Sequence, residues 1–162
     1  MSINKMILTS LITMGFVMNV HGQKDQATGD NESVQNVIIT LFDGMREADS
    51  AKVSSAFRKD VTMYTSFTSK EGDLMLEKGK LASFLKAVGT PHDQIWDERI
   101  WNTKILIDGG IAQVWTDYAF YIGEQFSHCG VDAFHLVKEP SGQWKIVHLM
   151  DTRRKNDCKI NE

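Results

Sequence analysis

Asp117, Asp132 and His128 are the residues of this chain whose types and spacing best suit proton chemistry. If Glu124-Gln125 is a two-residue hairpin loop, Gly123 faces Phe126, Asp117 lies opposite Asp132, and Tyr121 lies opposite His128. Two carboxylates facing each other repel, so one can keep its proton near neutral pH. A protonated acid beside a carboxylate base can move a proton on a carbon acid. His128 can act as a general base oriented by Tyr121 or Asp132. The plainer alternative pairs one acid with Arg153 or Arg99 and leaves the other at a strand end in water. For His128 it is a satisfied or surface histidine.

With Pro140-Ser141 as the next loop, Asp132 faces Leu149, Gly130 faces Asp151 and His128 faces Arg153. Alternation then puts Trp115, Asp117, Tyr121, His128, Asp132, Phe134, Asp151 and Arg153 on one face. Val114, Thr116, Tyr118, Phe120, Cys129, His135 and His148 fall on the other. Aromatic walls around a few convergent polar groups are what small-molecule sites need. On this register Arg153 can grip a ligand carboxylate. Tyr64, Trp101, Trp115, Tyr121 and Phe134 are candidates to line the site, although large aromatics are core residues by default. A one-residue slip in either turn would exchange one strand's two faces, and a bulge in the preceding strand would flip Trp101 and Arg99.

Other chemistries find little support. Cys129 has no histidine–acid arrangement assigned to its face, so it is not expected to be a nucleophile. His135, His148 and Cys129 lack a recognised ligand spacing, and no metal site is expected. There is no glycine-rich phosphate loop and no His-x-x-x-His pair, and no cofactor is expected.

The elements that must position these residues follow from periodicity. Val34, Ile38, Leu41, Phe42 and Met45 recur at helical spacing. Asp49-Ser50 ends that helix and can cap a short second one carrying Val53 and Phe57. From Asp60 the period becomes two, with Val61, Met63, Thr65 and Phe67 alternating with Thr62, Tyr64 and Ser66. Ser69 to Asp73 reads as a polar loop. Leu81, Phe84, Leu85 and Val88 mark a third helix, ended by Gly89 with Pro91 beyond. Trp96–Asp108, Ile111–Gly123, Phe126–Lys138 and Gln143–Arg154 read as a four-stranded antiparallel meander, with the strand near Tyr64 added at an edge. Strands this long must coil, and helices across the hollow side of a curved sheet leave a cavity.

At the N-terminus, one lysine precedes an uncharged, mostly apolar run from Ile7 to Val20, too short to span a bilayer but suited to a signal peptide. Cleavage is expected after Gly22, giving a periplasmic or secreted protein with no membrane association once the leader is removed. The chain divides into a signal peptide (1–22), a flexible lead-in (23–32), one domain (33–156) and a C-terminal tail (157–162). The 162 residues less those 22 leave 140, and the loss of Lys5 takes the net charge from −3 to −4. A mildly acidic chain is not expected to bind nucleic acid through charge. Cys129 and Cys158 allow one disulfide, which an exported protein can keep; whether they meet is a matter of geometry.

The order helix, short helix, strand, helix, meander resembles the nuclear-transport-factor-2-like superfamily, and within it the SnoaL-like polyketide-cyclase and ketosteroid-isomerase branch. Ala112-Gln113-Val114-Trp115, His128-Cys129-Gly130-Val131-Asp132-Ala133-Phe134 and Gly142-Gln143-Trp144-Lys145-Ile146-Val147 carry the resemblance, which spans about Ser33 to Arg154. It also looks like an exported bacterial subgroup. The resemblance implies an α+β cone, a curved antiparallel sheet with three helices from the N-terminal half on its concave side, an internal pocket and frequent dimers. The superfamily holds isomerases, dehydratases, cyclases and members with no known reaction, so fold does not select function.

Three functions remain open. The first is an exported pocket protein for a small, partly aromatic or carboxylate-bearing ligand. The second is a cofactor-independent isomerase, dehydratase or cyclase using Asp117, Asp132 or His128. The third is an interaction protein that forms a homodimer through its sheet.

Overall fold

The apolar stripe Val34, Ile38, Leu41, Phe42, Met45 lies on α1 (His21–Arg46), and all five side chains are buried. The computed structural model describes residues 21–158 and residue 160, so nearly all of the expected signal peptide lies outside the described residues. Residues 23–32, the expected flexible lead-in, are helical and continuous with α1. Their Gln, Lys and Ala residues tolerate helix, no proline intervenes, and a helix nucleated by its packed part propagates at little cost.

Asp49 caps α2 (Ser50–Ala56), its Oδ1 accepting from the N–H groups of Ala51 and Lys52 at 2.9 Å each. A Cβ on Gly44 would lie 2.8 Å from Val53, so glycine is what lets the two helices meet in a tight corner. The strands and the last helix follow as β1 (Phe57–Thr68), β2 (Leu74–Gly79), α3 (Leu81–Gly89), β3 (Trp96–Asp108), β4 (Ile111–Ile122), β5 (Gln125–Lys138) and β6 (Trp144–Arg153).

The sheet runs β2-β1-β6-β5-β4-β3. β3 to β6 form the expected antiparallel meander, and β1 adds at its β6 edge. That pairing is parallel, so the sheet is mixed rather than wholly antiparallel. β2 corrects a second expectation, since the segment after Asp73 was not read as a strand. All six of its residues are exposed and Leu74-Met75-Leu76 do not alternate, so no face was encoded; pairing with β1 makes it a strand.

The three helices pack on one face of this open, cone-like sheet. Val34, Ile38, Leu41 and Phe42 of α1 share the main core with Val114, Phe134, Leu136, Trp144 and Ile146. Val88 of α3 and Val53 of α2 complete it. At the other end of the chain Cys129 and Cys158 form a disulfide, which ties the expected C-terminal tail to β5. Among the described residues no helix is long and apolar enough to cross a membrane.

Candidate functional site

Register decides which side chains reach the inner, helix-covered face. Between β4 and β5 the turn is Gly123-Glu124, with Ile122 opposite Gln125 and Gly123 at φ 60°. Ser127 is then left out of the pairing as a bulge. The net slip from the expected register is one residue. Thr116, not Asp117, lies opposite Asp132, and Asp117 lies opposite Val131. Every side chain of β4 therefore changes face: Val114, Thr116, Tyr118 and Phe120 point inward, and Trp115, Asp117 and Tyr121 outward.

Between β5 and β6 the turn is one residue longer than expected, with Glu139 N–H donating to Gln143 O at 2.7 Å, and Val147 is a second bulge. Here the slip is two residues. Asp151 moves from opposite Gly130 to opposite Asp132, but an even slip preserves the face. His128, Asp132, Asp151 and Arg153 remain inside.

The inner face has an apolar half under α1 and a polar half built by five strands. Glu98 comes from β3, Tyr118 from β4, His128 and Asp132 from β5, Asp151 and Arg153 from β6, and Thr65 from β1. Asp151 is saturated: Thr65 Oγ1 donates to Oδ1 at 2.6 Å, and Arg153 Nε donates to Oδ2 at 2.8 Å. Tyr118 O–H donates to the Thr152 carbonyl at 2.9 Å, with Asp151 Oδ2 at 3.4 Å. Gly130 makes this approach possible, since a Cβ there would sit 1.7 Å from the Thr152 oxygen and 2.7 Å from the Tyr118 ring.

Asp132 is the opposite case. It is 4% exposed, its Oδ2 is buried, and among the described residues no N–H or hydroxyl donates to it. Its hydrogen-bonding neighbour is another carboxyl, that of Glu98. Two carboxyls can share a hydrogen bond only if one holds a proton. Burial raises both pKa values. The negative charges of Glu98 and Asp151 push Asp132 further, well above the carboxylate range. Glu98 rises to about 7, through burial first and the charge of Asp151. His128 moves the other way, down to about 4, because burial and the neighbouring Arg153 both oppose its cation. Its ring stands edge-on to Tyr118 at 5.7 Å, and its Nδ1 is 2.9 Å from Ser127 Oγ. The site therefore holds a proton-sharing carboxyl pair beside a neutral imidazole, with a guanidinium on its exposed margin.

The sequence-predicted residues divide accordingly. Asp132, His128 and Arg153 are brought together. Phe134 is inward but enclosed in the core against Phe42. Asp117 is on the outer face and accepts from Asn102 Nδ2 at 3.0 Å. Tyr121 lies outside under the Arg99 guanidinium at 4.3 Å, Tyr64 packs outside on His148 at 6.1 Å, and Trp115 is 48% exposed. Trp101 lies opposite Asp117 where the β3 bulge begins. Among the described residues no group of three or more metal-binding side chains assembles.

Glu98 and Tyr118 were missed. Glu98 had a signal, an acid between Trp96 and Ile100 at alternate positions of one strand, so that its side chain shares their inward face. Tyr118 had none, because its face depended on the turn.

Two surface hollows of about 360 and 380 Å³ lie elsewhere, one beside Arg58 and Lys145 and the other between α1 and the β5–β6 turn. Beneath α1 the inner face is occupied by the apolar core, and the polar patch lies beside it.

A family model described as "Putative lumazine-binding" matches residues 29–150. Among solved structures, one similar chain is a nuclear-transport-factor-2-like protein with a cystatin-like fold from Novosphingobium aromaticivorans. It has 12% identity and a TM-score of 0.66, over 89% of this chain and 94% of that one. A protein of unknown function from Mycobacterium tuberculosis gives 12% and 0.67, over 88% and 83%. A structure titled "putative ketosteroid isomerase" from Shewanella frigidimarina gives 18% and 0.55, over 74% and 94%. No curated protein matches the sequence significantly. At these identities the structures establish the fold alone, whereas the family model spans most of the chain. With its helices on an open mixed sheet of nuclear-transport-factor-2-like fold, and that model running from within α1 into β6, the chain belongs to the family described as putative lumazine-binding.

Proposed function

We propose that this protein binds a small, partly aromatic molecule at the polar half of its inner face, with the Glu98–Asp132 pair as the recognition element. The observation that carries this reading is Asp132, a buried carboxyl with no N–H or hydroxyl donor among the described residues, in a family described by ligand binding. A natural fold leaves a buried acceptor without a donor only at a cost of roughly 1–3 kcal/mol, and a ligand donor removes that cost. The surroundings weigh against a carboxylate-bearing ligand, because Arg153 is already paired to Asp151 and two further acids adjoin it. Thermal shift of the purified mature chain against planar heterocycles, lumazine included, tests the reading. Stabilisation of roughly 2.7 kcal/mol is expected at 100 times the dissociation constant, and Asp132→Asn should abolish it. If no compound shifts the melting temperature, or Asp132→Asn responds as the wild type does, the reading fails.

A second reading, proton-transfer catalysis, is favoured by the same pair, since a carboxylic acid beside a carboxylate is poised to give and take a proton. It is tested by solvent deuterium exchange into any ligand found, with Glu98→Gln and Asp132→Asn expected to stop the exchange. Export belongs to the proposal too; the Cys129–Cys158 disulfide supports an oxidising compartment. Homodimerisation is supported by Leu106 and Trp115, 67% and 48% exposed on the outer face, and light scattering checks it.

A further inference from the structure

The inner polar patch is unbalanced in what it offers a ligand. Three of its hydrogen-bond donors are engaged: Thr65 and Arg153 Nε on Asp151, and Tyr118 on the Thr152 carbonyl. Among the described residues Asp132 Oδ2 is a buried acceptor without a hydrogen-bond partner, and it lies beside the Glu98 carboxyl. An occupant must therefore bring N–H or O–H groups.

Charge narrows the choice. Facing the pair are Tyr118 from β4, His128 from β5, and Asp151 and Arg153 from β6, with Lys155 acting on His128 from beyond that strand. β1 contributes the uncharged Thr65. His128 and Tyr118 are neutral, so three carboxyls stand against one guanidinium, and a single proton between Glu98 and Asp132 leaves the patch with one negative charge. An anion would add to that charge in a buried setting. A monocation can replace the proton and leave the balance unchanged.

Resting on the ligand-binding reading above, we propose that this site takes a small organic cation, an amidine, guanidine or primary amine on a flat apolar body, whose N–H groups bridge Glu98 and Asp132. The charge-assisted hydrogen bonds that form are stronger than neutral ones, and an amidinium matches two carboxylates better than a single shared proton does. Ile100 and Trp96, on the same strand and face as Glu98, are placed to contact the apolar body. The displaced protons go to solvent, so binding and pH are linked: affinity rises with pH and levels off once the pair is ionised.

Three isosteric probes separate the possibilities on the purified mature chain: benzamidine (cation), benzamide (neutral N–H donor) and benzoate (anion). Thermal shift and titration calorimetry at pH 6, in two buffers of different ionisation enthalpy, give affinity and protons released. The expected result is benzamidine binding at least tenfold tighter than benzamide, release of at least one proton, and no response to benzoate. Glu98→Gln should fold, bind benzamidine at least tenfold more weakly and release fewer protons than the wild type. Benzamide or lumazine binding as tightly as benzamidine would overturn the cation proposal while leaving the ligand-binding reading intact. Benzamidine binding without proton release, or unaffected by Glu98→Gln, overturns it too. Silence from all three probes overturns it, and silence from the heterocycle panel as well removes the reading beneath it.

Discussion

Glu98 and His128 oppose each other as pH changes, and this gives the site a signature of its own. Glu98 titrates near an ordinary 4.5 when unfolded and at about 7 when folded. Between those values the folded state holds more protons, so this group's contribution to stability falls as pH rises from about 4.5 to about 7. His128 goes from an ordinary 6.5 to about 4. In that window the unfolded state holds more protons, so its contribution rises with pH from about 4 to about 6.5. The two cancel in part. Urea unfolding at pH 5, 6 and 7 should therefore show Glu98→Gln gaining on the wild type as pH rises, and His128→Gln losing ground to it over the same range. Parallel profiles for all three proteins would refute the coupling.

At the scale of elements, Gly130 fixes how closely β5 and β6 approach and where Tyr118 lies between them. Its missing Cβ leaves room for the Thr152 carbonyl and the Tyr118 ring, and the Tyr118–Thr152 hydrogen bond crosses that gap. Gly130→Ala should cost about 3 kcal/mol or more in equilibrium unfolding, the upper end for overpacked sites, because the Thr152 carbonyl it would meet is backbone and cannot swing away. A loss within about 0.5 kcal/mol, ordinary for a surface change, would show that the strands separate freely. Tyr118→Phe should be milder, about 1 kcal/mol, since it removes one hydrogen bond and retains the ring.

For the molecule as a whole, the Cys129–Cys158 bond closes a loop over a separation of 29 residues and joins the chain's end to the strand that carries His128 and Asp132. A loop of that length is worth roughly 3–4 kcal/mol in chain entropy. Reduction, or the Cys129→Ala/Cys158→Ala pair of substitutions, should lower Tm by on the order of 10 °C. Equal melting of the oxidised and reduced forms would mean that β6 and the tail are held by pairing alone.

Helix positions and the meander were legible in the sequence because burial repeats with a fixed period: Val34, Ile38, Leu41 and Met45 for α1, Leu81, Phe84, Leu85 and Val88 for α3, and alternating residues in β3 to β6. β2 was not, because a strand exposed along its whole length carries no period. The inner membership of His128, Asp132 and Arg153 survived a two-residue slip, whereas Asp117, Tyr121 and Trp115 were lost to a one-residue slip. Side chains alternate with a period of two, so an even error in register leaves every face correct and an odd one inverts it. Local composition sets the strands; bulges at Ser127 and Val147, settled only when the sheet packs, place Thr116 and Asp151 opposite Asp132, and a further carboxyl reaches it from beyond β4. That carboxyl is Glu98, from a strand two places away in the sheet, and only the tertiary structure brings it there.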